Sequence, residues 1–207
     1  MPEDPSPGPP GLGFLFCAKA ARNEGAASKR LQPDFLKMRV MDATTQSPFS
    51  PSETGRKIPV SVLVVIHTPA LDVLLIERAL QPGFWQSVTG SIDAPGEPLM
   101  DTALREVAEE TGIQVGGSAV PLSALRDWRL ANVYEIYPLW RHRYPAGIWK
   151  NTEHVFSLEV PAGTPVTLAA REHRAWVWLP WQEAAKRCFS ASNADAIRQL
   201  PRRFPSR

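Results

Sequence analysis

The stretch Gly90-Ser-Ile-Asp-Ala-Pro-Gly-Glu97, with Arg105-Glu106-Val-Ala-Glu109-Glu110-Thr-Gly112-Ile113 after it, decides how this chain reads. Its second part has the pattern of a short helix. Residues three and four apart share a helix face, so Glu106, Glu109 and Glu110 crowd their carboxylates onto one patch. Like charges at that spacing destabilise a bare helix. A compensating cation is expected, and hard divalent ions take carboxylate oxygens. Arg105 precedes the cluster and suits the task of fixing a carboxylate's direction, while Glu97, about two turns earlier, faces the same side. Val107 and Ile113 supply the apolar side with Ala103 and Leu104 behind them, and Gly112 offers a left-handed exit. Glu-rich surface helices are usually only solvated. The agreement of several independent positions is what points to a metal site.

These residues resemble the Nudix box, the signature of hydrolases that cleave nucleoside diphosphates linked to another group. Glu97 to Ile113 match the box at its spacing, whereas six residues separate Gly90 from Glu97 where the family pattern has five. Pro95-Gly96 is a turn-forming pair that absorbs the extra residue in the loop and leaves the helix register unchanged. The resemblance implies an α/β protein, a Nudix-type α/β/α sandwich with a mixed β-sheet.

Length and composition bound the rest. A chain of 207 residues suits one domain plus an extension, or at most two small domains. The apolar fraction of 43% is ample for a core. A net charge of +2 gives no overall field that would require nucleic acid as a partner. No apolar run approaches the roughly 20 residues of a membrane span. Cys17 and Cys188 form neither a disulfide framework nor a metal-ligand pair, and a reducing, cytoplasmic setting fits. The oligomeric state is not legible.

Residues 1–55 differ in character from the remainder of the chain. Prolines 2, 5, 7, 9 and 10 open it, and Thr44 to Thr54 is rich in Ser, Thr and Pro. Such composition buries too little apolar surface to order itself, so this part is expected to be a disordered extension, or a spurious one preceding a true start at Met38 or Met41. The folded domain is expected over 56–200, with a basic tail over 201–207. Strands are expected over Val60–His67, Val73–Glu77, Phe84–Thr89, Leu125–Leu130, Val133–Tyr144, Glu153–Val160 and Ala175–Leu179. Helices are expected over about Glu97–Thr111, Trp181–Cys188 and Asn193–Leu200. Strands around one helix with further helices at the end give helices on both faces of a sheet.

Resemblance extends beyond the box to one branch of the family, the bacterial dihydroneopterin triphosphate diphosphatases. It is carried by Lys57 to His67, Phe84 to Ser91, Arg141 to Gly147, Asn151-Thr-Glu153 and Glu172-His173. It implies magnesium, with manganese as a substitute, bound by Glu106, Glu110 and Glu172. Lys57, Arg78, Thr89 and Ser190 occupy positions that touch substrate in that branch, and Tyr134, Glu135, Ile136 and Tyr137 match a stretch that does so. Glu109 is a further metal ligand or the residue that activates water, beside Arg105. The substrate implied is a pterin triphosphate, or alternatively a nucleoside triphosphate, attacked by water with loss of pyrophosphate. Read from chemistry alone, Lys57 and Arg78 suit a triphosphate, and Tyr134 and Tyr137 suit a planar ring. His142 and His173 read as structural or as parts of a surface network. A rival of another class is a non-catalytic domain that senses a nucleotide, but every acidic position of the box is present here.

Overall fold

The computed structural model describes residues 56–205. The expectations for 1–55 lie outside the described residues. The order of elements is β1 (Val60–His67), β2 (Asp72–Arg78), β3 (Trp85–Gln86), β4 (Val88–Ser91), α1 (Leu99–Thr111), β5 (Leu125–Glu135), β6 (Lys150–Glu159), β7 (His173–Pro180), α2 (Trp181–Arg187) and α3 (Ala191–Arg203).

β1 organises the sheet. Its run of β-branched and leucine residues is buried on both faces, as expected of a strand covered on both sides. Side chains alternate across a strand. Val62, Val64 and Ile66 enter one core with Ala103 and Val107 of α1. Leu63 and Val65 enter the opposite core with Ala184 and Ala185 of α2 and Ala196, Ile197 and Leu200 of α3. The architecture is therefore an α/β/α sandwich. Its sheet is mixed, since β1 runs parallel to β6 while its other pairings are antiparallel. Full burial of Val107 contributes about 1.5–3 kcal/mol, typical of a valine taken out of water.

β1 and β2 pair only where His67 meets Val73, and then separate. β4 takes the place beside β1, with Leu63 opposite Thr89 and Ser61 opposite Ser91. β3 lies instead against β2, and β7 pairs along the whole of β2. A cavity forms in this region, lined from both sides of the split.

Five expectations need correction. The strand drawn over Phe84–Thr89 is two strands, because the Ser87 amide leaves the ladder to donate to Asn193 Oδ1 at 2.8 Å. The box helix starts at Leu99 rather than Glu97, since Pro98 takes the cap position in an extended conformation. Leu125–Leu130 and the start of the next expected strand are one strand, β5, bulged where Arg129 adopts φ 51°. That strand stops at Glu135. Pro138, which has no N–H to give a sheet ladder, opens a 3-10 helix over Pro138–Arg143. At the far end α3 continues through Pro201 to Arg203.

Candidate active site

The box helix meets the sheet at Gly90. A side-chain carbon there would overlap the Glu106 carboxyl, so the absence of a side chain is what lets that carboxylate reach β4. Arg105 then fixes it. Its guanidinium lies 2.7 Å from Glu106, 3.2 Å from Asp93, and 3.4 Å from both Glu97 and Glu109. It also donates to the Ser91 carbonyl oxygen at 3.0 Å. Glu97 is held in turn by the Thr102 hydroxyl at 2.9 Å and by the Asp93 amide. In the loop before the helix Gly96 has a φ of 84°, which suits glycine. At the other end of the helix Gly112, at φ 71°, donates to the Ala108 carbonyl and stops it.

One turn further along, Glu110 is 4% exposed. One of its oxygens accepts from the Thr89 amide at 3.2 Å, and the other lies 3.1 Å from His173 Nε2. His173 is delivered by β7, where it sits opposite Arg78 of β2. Glu172 precedes it, and ligand atoms of Glu110, Glu172 and His173 all lie within 4.8 Å of one another. Burial drives the Glu110 carboxyl above the ordinary carboxylate range. Burial, and then the Glu110 charge, push Glu106 up to about 7. Glu110 and Glu172, with His173 beside them, form a donor set that fits a divalent cation, and Glu106 lines the same cavity. Glu109 stands apart. It is 60% exposed, its partner is Arg105, and it is not among the residues that line the cavity.

The cavity measures about 270 Å³ and joins this acidic end to three cations and an aromatic wall. Lys57, Arg78 and Arg143 line it. Burial, followed by the nearby Arg143 charge, lowers the Lys57 pKa below its usual value. A cation short of water favours an anionic partner. Arg78 is aimed by the Gln86 side-chain oxygen at 2.8 Å and lies 5.2 Å over the Trp140 ring. Tyr137, Trp140 and Phe189 are clustered, with ring centroids 5.5–6.1 Å apart.

Of the residues singled out in the sequence, Glu106, Glu110, Glu172, Lys57, Arg78, Thr89, Tyr134, Glu135, Ile136, Tyr137 and Ser190 all line this cavity. Arg105 and Glu109 lie beside it. His173, read from sequence as structural or as part of a surface network, is buried beside Glu110 and Glu172. Asn151 and Glu153 enter the resemblance without a role. The sequence does not mark them, since Lys150 to His154 are polar at every position and only the alternation of burial singles out Asn151 and Glu153.

Comparison with known proteins agrees with this fold. The family model for the NUDIX domain matches residues 57–200. The chain is 40% identical over 145 residues to the dihydroneopterin triphosphate diphosphatase of Escherichia coli K12, covering 70% of this chain and 93% of that protein. It is 36% identical over 140 residues to the Haemophilus influenzae protein of the same name, covering 67% and 85%. Among solved structures, the E. coli dihydroneopterin triphosphate pyrophosphohydrolase superposes with a TM-score of 0.64 at 40% identity, over 70% of this chain and 96% of that one. The chain belongs to the Nudix family of hydrolases, which generally work with divalent metal ions on nucleotide-like small molecules.

Proposed function

We propose that this protein hydrolyses dihydroneopterin triphosphate to the monophosphate and pyrophosphate, with magnesium as its metal. The observation that carries the reading is the cavity beside the box helix, with an acidic cluster, three cations and a wall of aromatic rings around one space. A triphosphate needs the first two. A planar bicyclic ring needs the third.

Phosphoanhydrides resist water because their oxygens repel a nucleophile. Lys57, Arg78 and Arg143 would pair with those oxygens and hold the chain of phosphates in one pose. Glu106, Glu110 and Glu172 would hold magnesium, which when bound supplies positive charge against the phosphates. Water then attacks one phosphorus, a new P–O bond forms, and the anhydride bond breaks with pyrophosphate as the leaving group. The attacking water must lose a proton. Glu109 is assigned that proton, which requires its carboxylate to leave Arg105 and turn toward the cavity. Arg105 holds Glu106 in place meanwhile. Positioning and charge stabilisation account for most of such a reaction.

The test is pyrophosphate release from dihydroneopterin triphosphate, with and without magnesium, beside a panel of nucleoside triphosphates. Magnesium-dependent release that is fastest with the pterin is the expected result. Faster release from a nucleotide would reassign the substrate, and no release from any of them would overturn the hydrolytic reading.

A further inference from the structure

The cavity has a second acidic feature, remote in sequence from the box. Asn151 and Glu153 alternate along β6 and are 2% and 5% exposed. Strand register puts Glu153 beside Ser61 and Val155 beside Leu63, so the pair faces the side of the sheet covered by α3. The partners of Glu153 are neutral, two of them hydroxyls. Ser192, at the start of α3, donates to Oε2 at 2.9 Å, and the Tyr134 hydroxyl lies 3.5 Å from Oε1. No lysine, arginine or histidine pairs with it among the described residues. Burial raises its pKa, against the hydrogen bonds from Ser192, Asn132 and Tyr134. Tyr134 is itself shifted upward by burial, so it stays a phenol and a donor.

Asn151 has its nitrogen fully employed, donating to Ser61 at 2.7 Å and to the Tyr134 oxygen at 3.1 Å. Its side-chain oxygen is buried with no partner. Such an orphaned acceptor costs about 1–3 kcal/mol when nothing fills it. A carboxylate has about four lone-pair sites, and the donors Ser192, Tyr134 and Asn132 leave Glu153 about one to spare, beside the free oxygen of Asn151. One floor of the cavity therefore presents a row of acceptors in need of N–H donors, near the aromatic wall of Tyr137, Trp140 and Phe189.

We infer that Glu153, with Asn151 beside it, reads the donor edge of a 2-amino-4-oxo-pyrimidine ring, taking the ring N–H and the exocyclic amino group. That edge is shared by pterins and guanine and is absent from adenine, cytosine and hypoxanthine. This deepens the reading proposed above and rests on it for placing a ring in the cavity. A site built to bond a substrate N–H rejects analogues that lack it by large factors, because its own buried groups are left unpaired. Discrimination thus falls to Glu153 and Asn151, while the aromatic rings hold any planar base.

The experiment measures equilibrium binding of neopterin, and of its analogue with hydrogen in place of the 2-amino group, to the wild-type protein and to Glu153→Gln. Gln turns an N–H₂ toward the ligand's donors. The wild type is expected to bind neopterin on the order of tenfold or more tightly than the analogue, and Glu153→Gln to bring the two within about twofold. Equal binding of both ligands by the wild type, binding of neither, or a preference kept by the variant overturns the inference. The wild-type contrast decides the matter even where the variant fails to fold. Pyrophosphate release is scored separately. Its absence refutes the hydrolytic reading and leaves the binding contrast to stand or fall by itself.

Discussion

Gly90 on β4 and Glu106 on α1 approach so closely that a methyl group on the first would occupy the place of the second's carboxyl. The obstacle is the far end of a flexible side chain, and Gly90 itself has an ordinary negative-φ backbone. Gly90→Ala should therefore fold, with Glu106 displaced and its bond to Arg105 broken. Activity is expected to fall about 10–100-fold, as when the support of a ligating group is removed, with little change in melting temperature. Wild-type turnover in this variant would show that the position of Glu106 is unimportant.

Glu110→Gln separates charge from shape. Gln can still accept from the Thr89 amide and face His173 Nε2, the two contacts that Glu110 makes. A buried carboxylate with a raised pKa is a cost to the metal-free fold. The variant should melt no lower than wild type without metal, yet lose at least about 100-fold in turnover, as expected when charge stabilisation at phosphorus is withdrawn. Wild-type-like rates at saturating magnesium would sink the assignment.

Metal and pH should act on one another. Glu106 titrates near 7 and Glu110 above its ordinary value, in both cases first because of burial. Each is easier to protonate folded than unfolded. Their contribution to stability is present below about pH 4.5 and is lost as pH rises through the folded values. For Glu106 alone the loss is about 3 kcal/mol. Metal-free protein should melt lower at pH 8 than at pH 5. Magnesium, which needs the carboxylates ionised, should raise the melting temperature more at pH 8. An equal shift at both pH values in a thermal melt would contradict this.

The core and the box were legible because each depends on local pattern. β1 is apolar at every position from Val62 to Ile66, as a strand between two cores must be, and α1 carries Glu106, Glu109 and Glu110 at helical spacing. What escaped reading depends on contacts across the chain. Ser87 breaks a strand because Asn193 takes its amide from α3. His173 becomes part of the acidic cluster because β7 pairs with β2 and brings it beside Glu110. Glu153 looks like a strand charge until Ser192 and Tyr134 are seen to close over it. The strand expected over Val133–Tyr144 ends at Glu135 for a local reason, the proline at 138 that opens a 3-10 helix.

Glu109 offers the sharpest division between catalysis and support. It is largely exposed and contacts Arg105 at 3.4 Å, the longest of that guanidinium's carboxylate contacts alongside Glu97. Glu109→Gln keeps the size of the side chain and, with Arg105 still bonded to Asp93, Glu97 and Glu106, should leave the melting temperature nearly unchanged. A residue that accepts the proton of attacking water contributes typically 10²–10⁴-fold. The expected result is a kcat lower by about that factor with KM little altered, since an interaction made only in the transition state is what is lost. A raised KM with kcat intact would instead make Glu109 a binding residue. Unchanged kinetics would reduce it to an outer partner of Arg105 and move the search for the base to the carboxylates inside the cavity.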